Sequence, residues 1–314
     1  MFFEQFVLEP WRRRSFPLAL FRWSQFLGEK SNGFYDLVFQ MMAALLRPSR
    51  TLPSPQRMTL QQTEAAAAQI KRDGYSILPV CLSQAELEEL KAFAFSTPTY
   101  AWDRTKVLLS PDAIPTSTGR FIWPMQDLLQ LNVIKRLVSD SGMARIAQDY
   151  LGAQTKLAHV TLWLDPPYDG DFDPHVYHYD NDGPGFLKFF HYVTDVEEDT
   201  GAHRFIRGTH HDRKPALFRH STRYDDKALL DFYGADKEIV FAAPAGTIIA
   251  EDTDGFHRGS HVKHHYRILL QFEFSLIDIP VAEELENPIT PVLIPDLDPA
   301  LEPIVSKLFR SGRA

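Results

Sequence analysis

In the C-terminal half of the chain, apolar residues recur at every second position. Along YRILLQFEFSL, residues 266–276, Ile268, Leu270, Phe272 and Phe274 share one parity, while Arg267, Leu269, Gln271 and Glu273 share the other. Extended backbone places alternate side chains on opposite faces, so this segment reads as a strand with one apolar face and one face carrying charge. LAHVTLWL, residues 157–164, behaves the same way, with Val160, Leu162 and Leu164 set against His159, Thr161 and Trp163. FLKFFHYVT, EIVFAA and GTIIAE add further strands, separated by Gly, Pro and Asp turns. Short strands so spaced predict a sandwich or barrel rather than alternating βαβ units.

Helical patterns precede the strands. TEAAAAQIKRDGYSILPVCLSQAELEELKAFA reads as helix, strand and helix: Gly74 stops the first helix, and Ser83 with Glu86 forms a capping box for the second. A further helical stretch runs from about residue 128 to 151, broken near 139–142. Residues 1–50 differ in character. Aromatic side chains crowd there with Arg12, Arg13, Arg14 and Arg22, and Leu37, Val38, Met41, Met42, Leu45 and Leu46 recur at helical spacing until Pro48. The expected organisation is an aromatic and basic helical extension with its linker over 1–55, then one β domain over 56–314. Such an extension either lies on a membrane surface or packs on the main domain or a second subunit. Apolar helical stripes are ordinarily core, so packing is the reading taken.

The whole-chain balance excludes some functions. A formal net charge of −8 is the wrong sign for a general nucleic-acid binder, which needs a basic face to replace phosphate counterions. Cys81 is the single cysteine, so neither an intramolecular disulfide nor a zinc-type Cys cluster can form. The first residues do not resemble a secretory signal, and no apolar run is long enough to span a bilayer, so the expected location is the cytoplasm. HExxH, GxSxG, GxGxxG and phosphate-loop motifs are all lacking, and Cys81 falls in a strand-to-helix turn away from any candidate base.

The chemistry concentrates at VYHYDND, residues 176–182. His178 and Asp180 are two apart, so in extended chain both project to the same side. A divalent ion such as iron(II) is held well by two imidazoles and one carboxylate on one face, leaving the opposite face open. His-x-Asp alone is a common loop pattern. Its support comes from EDTDGFHRGSHVKHHYRILLQFEF, where His257 follows the strand GTIIAE and supplies the second imidazole, and Arg267 opens the last long strand. An arginine pointing into a barrel requires an anion, which is either a protein acid or the distal carboxylate of a dicarboxylate cosubstrate.

The order His178-x-Asp180, FLKFFHYVTDVEEDTGAHRFIRGTHH, PAGTIIAEDTDGFHRG and Arg267 in YRILLQ resembles the phytanoyl-CoA dioxygenase family of iron(II) and 2-oxoglutarate dependent oxygenases. IKRDGYSILPVCLSQAELEEL resembles that family's N-terminal strand and helix, and the likeness extends over roughly residues 60–277. The resemblance implies a mainly β fold, a double-stranded β-helix of jelly-roll or cupin type with flanking N-terminal helices. It implies His178, Asp180 and His257 on Fe(II), Arg267 on the C5 carboxylate of 2-oxoglutarate, and O2 as the second cosubstrate. Some family members carry a lysine before a Pro-Pro pair that contacts the cosubstrate. Here Pro166 and Pro167 follow Asp165, and Lys188 is the candidate replacement, the alternative being an exposed strand lysine.

The remaining histidines and basic residues receive plainer readings. His175 is rejected as a rival ligand because Tyr177 stands where its carboxylate partner should be. His210 is read as part of a structural turn, His261, His264 and His265 as solvated loop residues, and His159 as a pocket-lining residue. A CoA thioester would favour a basic rim, for which Arg204, Arg207, Arg213 and Lys214 are candidates, although a solvated loop is the better reading of them. The expected activity is hydroxylation of an aliphatic carbon of a small-molecule or lipid-like substrate, with no protein acid or base beyond the metal ligands. The alternatives are a metal-binding β-barrel that binds or senses a ligand without turnover, and a desaturating oxygenase of the same fold.

Overall fold

The computed structural model describes residues 41–46, 51–170, 172–180, 182–183, 185–210, 223–278 and 288–312. Most of the N-terminal extension, together with Arg213 and Lys214, therefore lies outside the described residues.

The chain enters the domain through α1 (Leu60–Asp73), β1 (Tyr75–Cys81) and α2 (Gln84–Ser96). The Ser83–Glu86 capping box is present, and α1 has a second one, Thr59 with Gln62. Gly74 ends α1 in the left-handed region at φ 92°, where a Cβ would meet Phe205 Cζ at 2.5 Å. Short strands β2 (Thr99–Ala101), β3 (Lys106–Val107) and β4 (Phe121–Ile122) follow. The predicted long helical stretch divides into α3 (Asn132–Ser139) and α4 (Gly142–Leu151), with the break at Asp140 and Ser141.

From there the chain is mainly strand: β5 (Lys156–Asp165), β6 (Phe186–Tyr192), β7 (His203–Ile206), α5 (Asp226–Tyr233), β8 (Glu238–Phe241), β9 (Thr247–Glu251), β10 (His257–Gly259) and β11 (Arg267–Ser275). A parallel pair, β12 (Val292–Ile294) with β13 (Phe309–Ser311), closes the chain. The eight-stranded sheet runs β1-β9-β6-β11-β5-β4-β2-β3, and a three-stranded sheet runs β10-β7-β8. This is the jelly-roll arrangement of the double-stranded β-helix fold.

Strand parity decides which face each residue serves. Val160, Leu162, Leu164, Leu187, Phe189, Ile268, Leu270, Phe272 and Phe274 pack with Ile70, Leu90, Ile134 and Ile146 of the helices. The opposite parity, Trp163, Phe190, Tyr192, Ile249 and Leu269, meets Phe205 and Phe241 of the small sheet. Every residue of β11 is buried because β5 and β6 flank it and both of its faces are covered. At roughly 1.5–3 kcal/mol per buried large apolar side chain, the helix-facing layer supplies the main driving force for this register. A one-residue slip would turn Arg267 and Glu273 into that layer. Of the N-terminal stripe, Met42 is buried and Leu46 partly so, against Leu151, Leu276 and Ile277. No helix among the described residues is long and apolar enough to cross a membrane.

Candidate metal centre

His178, Asp180 and His257 come together, with their ligating atoms all within 4.8 Å of one another. Backbone pairing produces this. His178 and His257 form an isolated antiparallel bridge, His178 N–H donating to the His257 carbonyl at 2.9 Å and His257 N–H to the His178 carbonyl at 2.8 Å. Asp180 N–H donates to the Thr253 carbonyl at 2.8 Å, a second main-chain tie between the two segments. Because His178 and Asp180 are two apart in extended chain, both side chains then face the His257 ring.

The histidine tautomers are fixed by the main chain. Nδ1 of His178 lies 2.8 Å from the Val176 carbonyl, and Nδ1 of His257 lies 3.0 Å from the Gly255 carbonyl. A carbonyl only accepts, so each Nδ1 carries the proton and each Nε2 presents a lone pair. The two Nε2 atoms approach Asp180 at 3.8 and 3.5 Å. Burial, reinforced by the other imidazole, lowers His178 to about 3, and burial lowers His257 to about 4, so both rings are neutral ligands at neutral pH. Burial opposes ionisation of Asp180, but the Lys188 ammonium and the two imidazoles outweigh it and hold the carboxyl far below the usual range. Two neutral imidazoles and one carboxylate, with their ligating atoms within 4.8 Å of one another, fit a divalent first-row metal.

Lys188 is buried and lies at the heart of this centre. Its Nζ donates to Asp180 at 2.7 Å and Asp182 at 2.6 Å, with Glu273 at 3.9 Å. It is therefore not an exposed strand lysine. Strand register accounts for its position, since Lys188 pairs across to Glu251 on β9 and to Glu273 on β11. Glu273 is pushed up to about 8 by burial, with Asp182 and Asp180 adding to the effect against Lys188. Glu251 is fully buried and also raised, by burial first and Asp180 second, and it lies 2.8 Å from Nε2 of His203. His203 stands 5.4 Å from the His257 ring, centroid to centroid. Sequence reasoning did not single out Glu251, His203 or Glu273 as site residues. Glu273 shows only the parity it shares with Arg267 along β11, and the short strand β7 gives His203 no alternation to read.

Arg267 lies at the opposite end of β11, directly across from Asp165 on β5. Its Nε donates to Asp165 Oδ2 at 3.2 Å, its Nη2 donates to the same oxygen, and its Nη1 donates to the Gly201 carbonyl. Arg120, which was not anticipated, approaches Asp165 from the other side, Nε to Oδ1 at 2.6 Å and Nη2 to Oδ2 at 3.2 Å. The Trp163 indole completes the set at 3.1 Å. Asp165 is fully buried; burial works against its charge, but the two guanidiniums hold its carboxyl below the ordinary range.

The other histidines divide. His264, His265 and His261 are exposed, as expected, and the His261 ring lies 4.3 Å from that of buried His175, tilted by 60°. His210 is buried beneath Gly74, consistent with a structural turn. His159 pairs across to Glu273, and burial lowers it to about 3. Arg204 is not a loop residue: it sits on β7 and donates to Glu238 at 2.8 Å and Ser260 at 3.0 Å.

No protein-family profile matches the chain, and no curated protein does. Solved structures do share the fold. The epimerase SnoN from nogalamycin biosynthesis, a non-heme alpha ketoglutarate dependent enzyme, aligns with a TM-score of 0.51 at 17% identity, over 68% of this chain and 82% of its own. The carbocyclase SnoK from the same biosynthesis gives 0.50 at 15% identity, over 71% and 87%. EctD from S. alaskensis, solved with 2-oxoglutarate and 5-hydroxyectoine, gives 0.51 at 17% identity, over 75% and 84%. Identities this low show a shared fold. Two of these neighbours are named as non-heme alpha ketoglutarate dependent enzymes, an epimerase and a carbocyclase, and the third has been solved with 2-oxoglutarate and, separately, with bound Fe.

Proposed function

We propose that this chain is a non-haem iron(II) and 2-oxoglutarate dependent oxygenase that hydroxylates an aliphatic carbon of a small-molecule or lipid-like substrate. The observation that carries the reading is the His178–Asp180–His257 cluster, whose two Nε2 lone pairs and one carboxylate converge within 4.8 Å. The iron and 2-oxoglutarate in structures of this fold support it, as does the phytanoyl-CoA dioxygenase-like order of motifs along residues 60–277. With iron(II) and 2-oxoglutarate bound and O2 as the oxidant, such a centre would supply hydroxylation of a C–H bond coupled to decarboxylation of the 2-oxo acid to succinate and CO2, one oxygen atom going to each product.

The chain's own residues bind and orient. His178, Asp180 and His257 would hold the metal, and Lys188 keeps Asp180 ionised and fixed. Arg267, at the far end of the inner face of β11, would receive the C5 carboxylate. Trp163, Phe190 and Leu269 belong to one buried apolar cluster on that face and would keep water from the bound cosubstrate. No side chain is assigned a proton-transfer step.

Anaerobic titration with iron(II), with and without 2-oxoglutarate, tests the reading through the visible charge-transfer band of the chelate. The band should appear in wild type and be lost in His257→Ala. Retention of both iron binding and succinate formation in that variant would overturn the assignment. One observation favours a second reading, a metal-binding barrel without turnover: Arg267 already has a protein acid, Asp165, as its partner. Bound iron with no band on adding 2-oxoglutarate would support that alternative.

A further inference from the structure

Arg120, Asp165 and Arg267 form a cluster whose charges do not cancel. Two guanidiniums share one carboxylate, and among the described residues no second acid forms an ion pair with either arginine. The side chains of Arg267 and Asp165 are almost fully inaccessible, and that of Arg120 is only 13% accessible. A buried uncompensated cation is costly, so such a cluster suits an additional anion.

The donor geometry shows where that anion would sit. A guanidinium carries five N–H donors. Arg267 commits Nε and Nη2 to Asp165 and Nη1 to the Gly201 carbonyl, leaving one N–H on each Nη nitrogen. Arg120 likewise faces Asp165 through its Nε and Nη2 edge. Asp165 thus occupies the Nε–Nη2 edge of both guanidiniums, and the remaining Nη donors have no protein acceptor among the described residues. Arg120 is held flat by Trp163 and Phe172, with ring centroids 4.6 and 5.2 Å from its Cζ.

An unpartnered donor lies beside them. His175 is buried, and neither of its ring nitrogens has a hydrogen-bond partner among the described residues. A methyl group placed on Gly259 would touch both His175 Cδ2, at 3.5 Å, and Arg267 Nη2, at 3.7 Å, so the imidazole and the guanidinium both flank Gly259. Burial lowers His175 to about 3, leaving a neutral ring with one N–H to donate.

We infer that Arg120 is a second cation for the distal carboxylate of the 2-oxo acid, acting with Arg267 across Asp165, and that His175 supplies a further donor. The inference rests on the cosubstrate reading above and adds three residues to it. Asp165 is then an orienting anion that sets the two forks rather than a competitor for the site. Arg120, on the segment entering β4, joins the outer end of the large sheet to cosubstrate selection.

Calorimetry on anaerobic, iron(II)-loaded protein tests this, comparing 2-oxoglutarate with 2-oxobutanoate, which keeps the chelating 2-oxo acid and lacks the distal carboxylate. Wild type should prefer 2-oxoglutarate. Arg120→Gln should weaken 2-oxoglutarate by about tenfold to a hundredfold, the loss of a hydrogen bond to a charged group, and leave 2-oxobutanoate unchanged. Arg120→Lys, which keeps the charge without the fork, should fall between and carries the test if the glutamine variant does not fold. Variants that bind iron with wild-type stoichiometry and keep the full preference would make Arg120 a structural partner of Asp165 only. A wild type with no preference would overturn the cosubstrate reading together with this one.

Discussion

Replacing Asp165 with Asn removes one negative charge from between two buried arginines while keeping the shape of the side chain. An exposed ion pair would be worth about 0–1 kcal/mol. Asp165 and Arg267 are instead 1% and 3% accessible in their side chains, and removing one partner of such a pair strands the other at about 3–5 kcal/mol. Here a second guanidinium, Arg120, is stranded as well, which places Asp165→Asn near the top of that range, at about 4–5 kcal/mol. For a domain of this size the melting temperature should fall by roughly 7–9 °C. Urea unfolding at pH 7, with the slope unchanged, measures the loss directly. The sign of the pH dependence follows from the depressed carboxyl. Its stabilisation is complete above the unfolded value of about 3.9 and is lost as pH falls towards the folded value. The gap between wild type and variant should therefore hold from pH 8 to about 4 and close below it. A loss under about 1 kcal/mol, or a gap that closes near neutrality, would refute the buried-cluster argument.

Lys188→Met removes the ammonium that fixes Asp180, and iron(II) affinity by competitive titration should fall about tenfold to a hundredfold. Glu273→Gln should be neutral near pH 4 and increasingly stabilising towards pH 8, because a carboxyl raised to about 8 on folding weakens the native state as pH rises from its unfolded to its folded value. Chemical denaturation across that range reads the trend, and a pH-independent effect would contradict it. Gly74→Ala forces a side chain into the left-handed region and against Phe205 and His210, so the variant should lose roughly 1–3 kcal/mol by the same unfolding assay.

Much of this centre is visible in the sequence because it depends on strand parity. The alternation in YRILLQFEFSL puts Arg267 and Glu273 on the face opposite Ile268 and Phe272, and the structure keeps that division. His178 and Asp180 needed only the two-residue spacing, and Gly74 and Ser83 needed only local capping chemistry. Long-range pairing was not legible. β7 and β10 are short and carry no clear alternation, so His203 gave no sign that it would reach Glu251. Arg120 lies 45 residues from Asp165 along the chain, in a segment of turns, and only the closure of β4 on β5 brings them together. Asp165 itself was noticed as a departure from a family pattern, but its role depends on the register that sets it opposite Arg267.

The reciprocal main-chain pairing of His178 with His257 has a consequence for assembly. The two imidazoles are clamped by peptide hydrogen bonds and their ring planes by backbone carbonyls, so the polypeptide holds the ligand set in register before any ion arrives. A small zinc domain collapses when its ion is withdrawn because the ion is its core. This scaffold should instead behave as a socket: a chelator would empty it and leave the fold standing, and restored metal would find the same three atoms waiting.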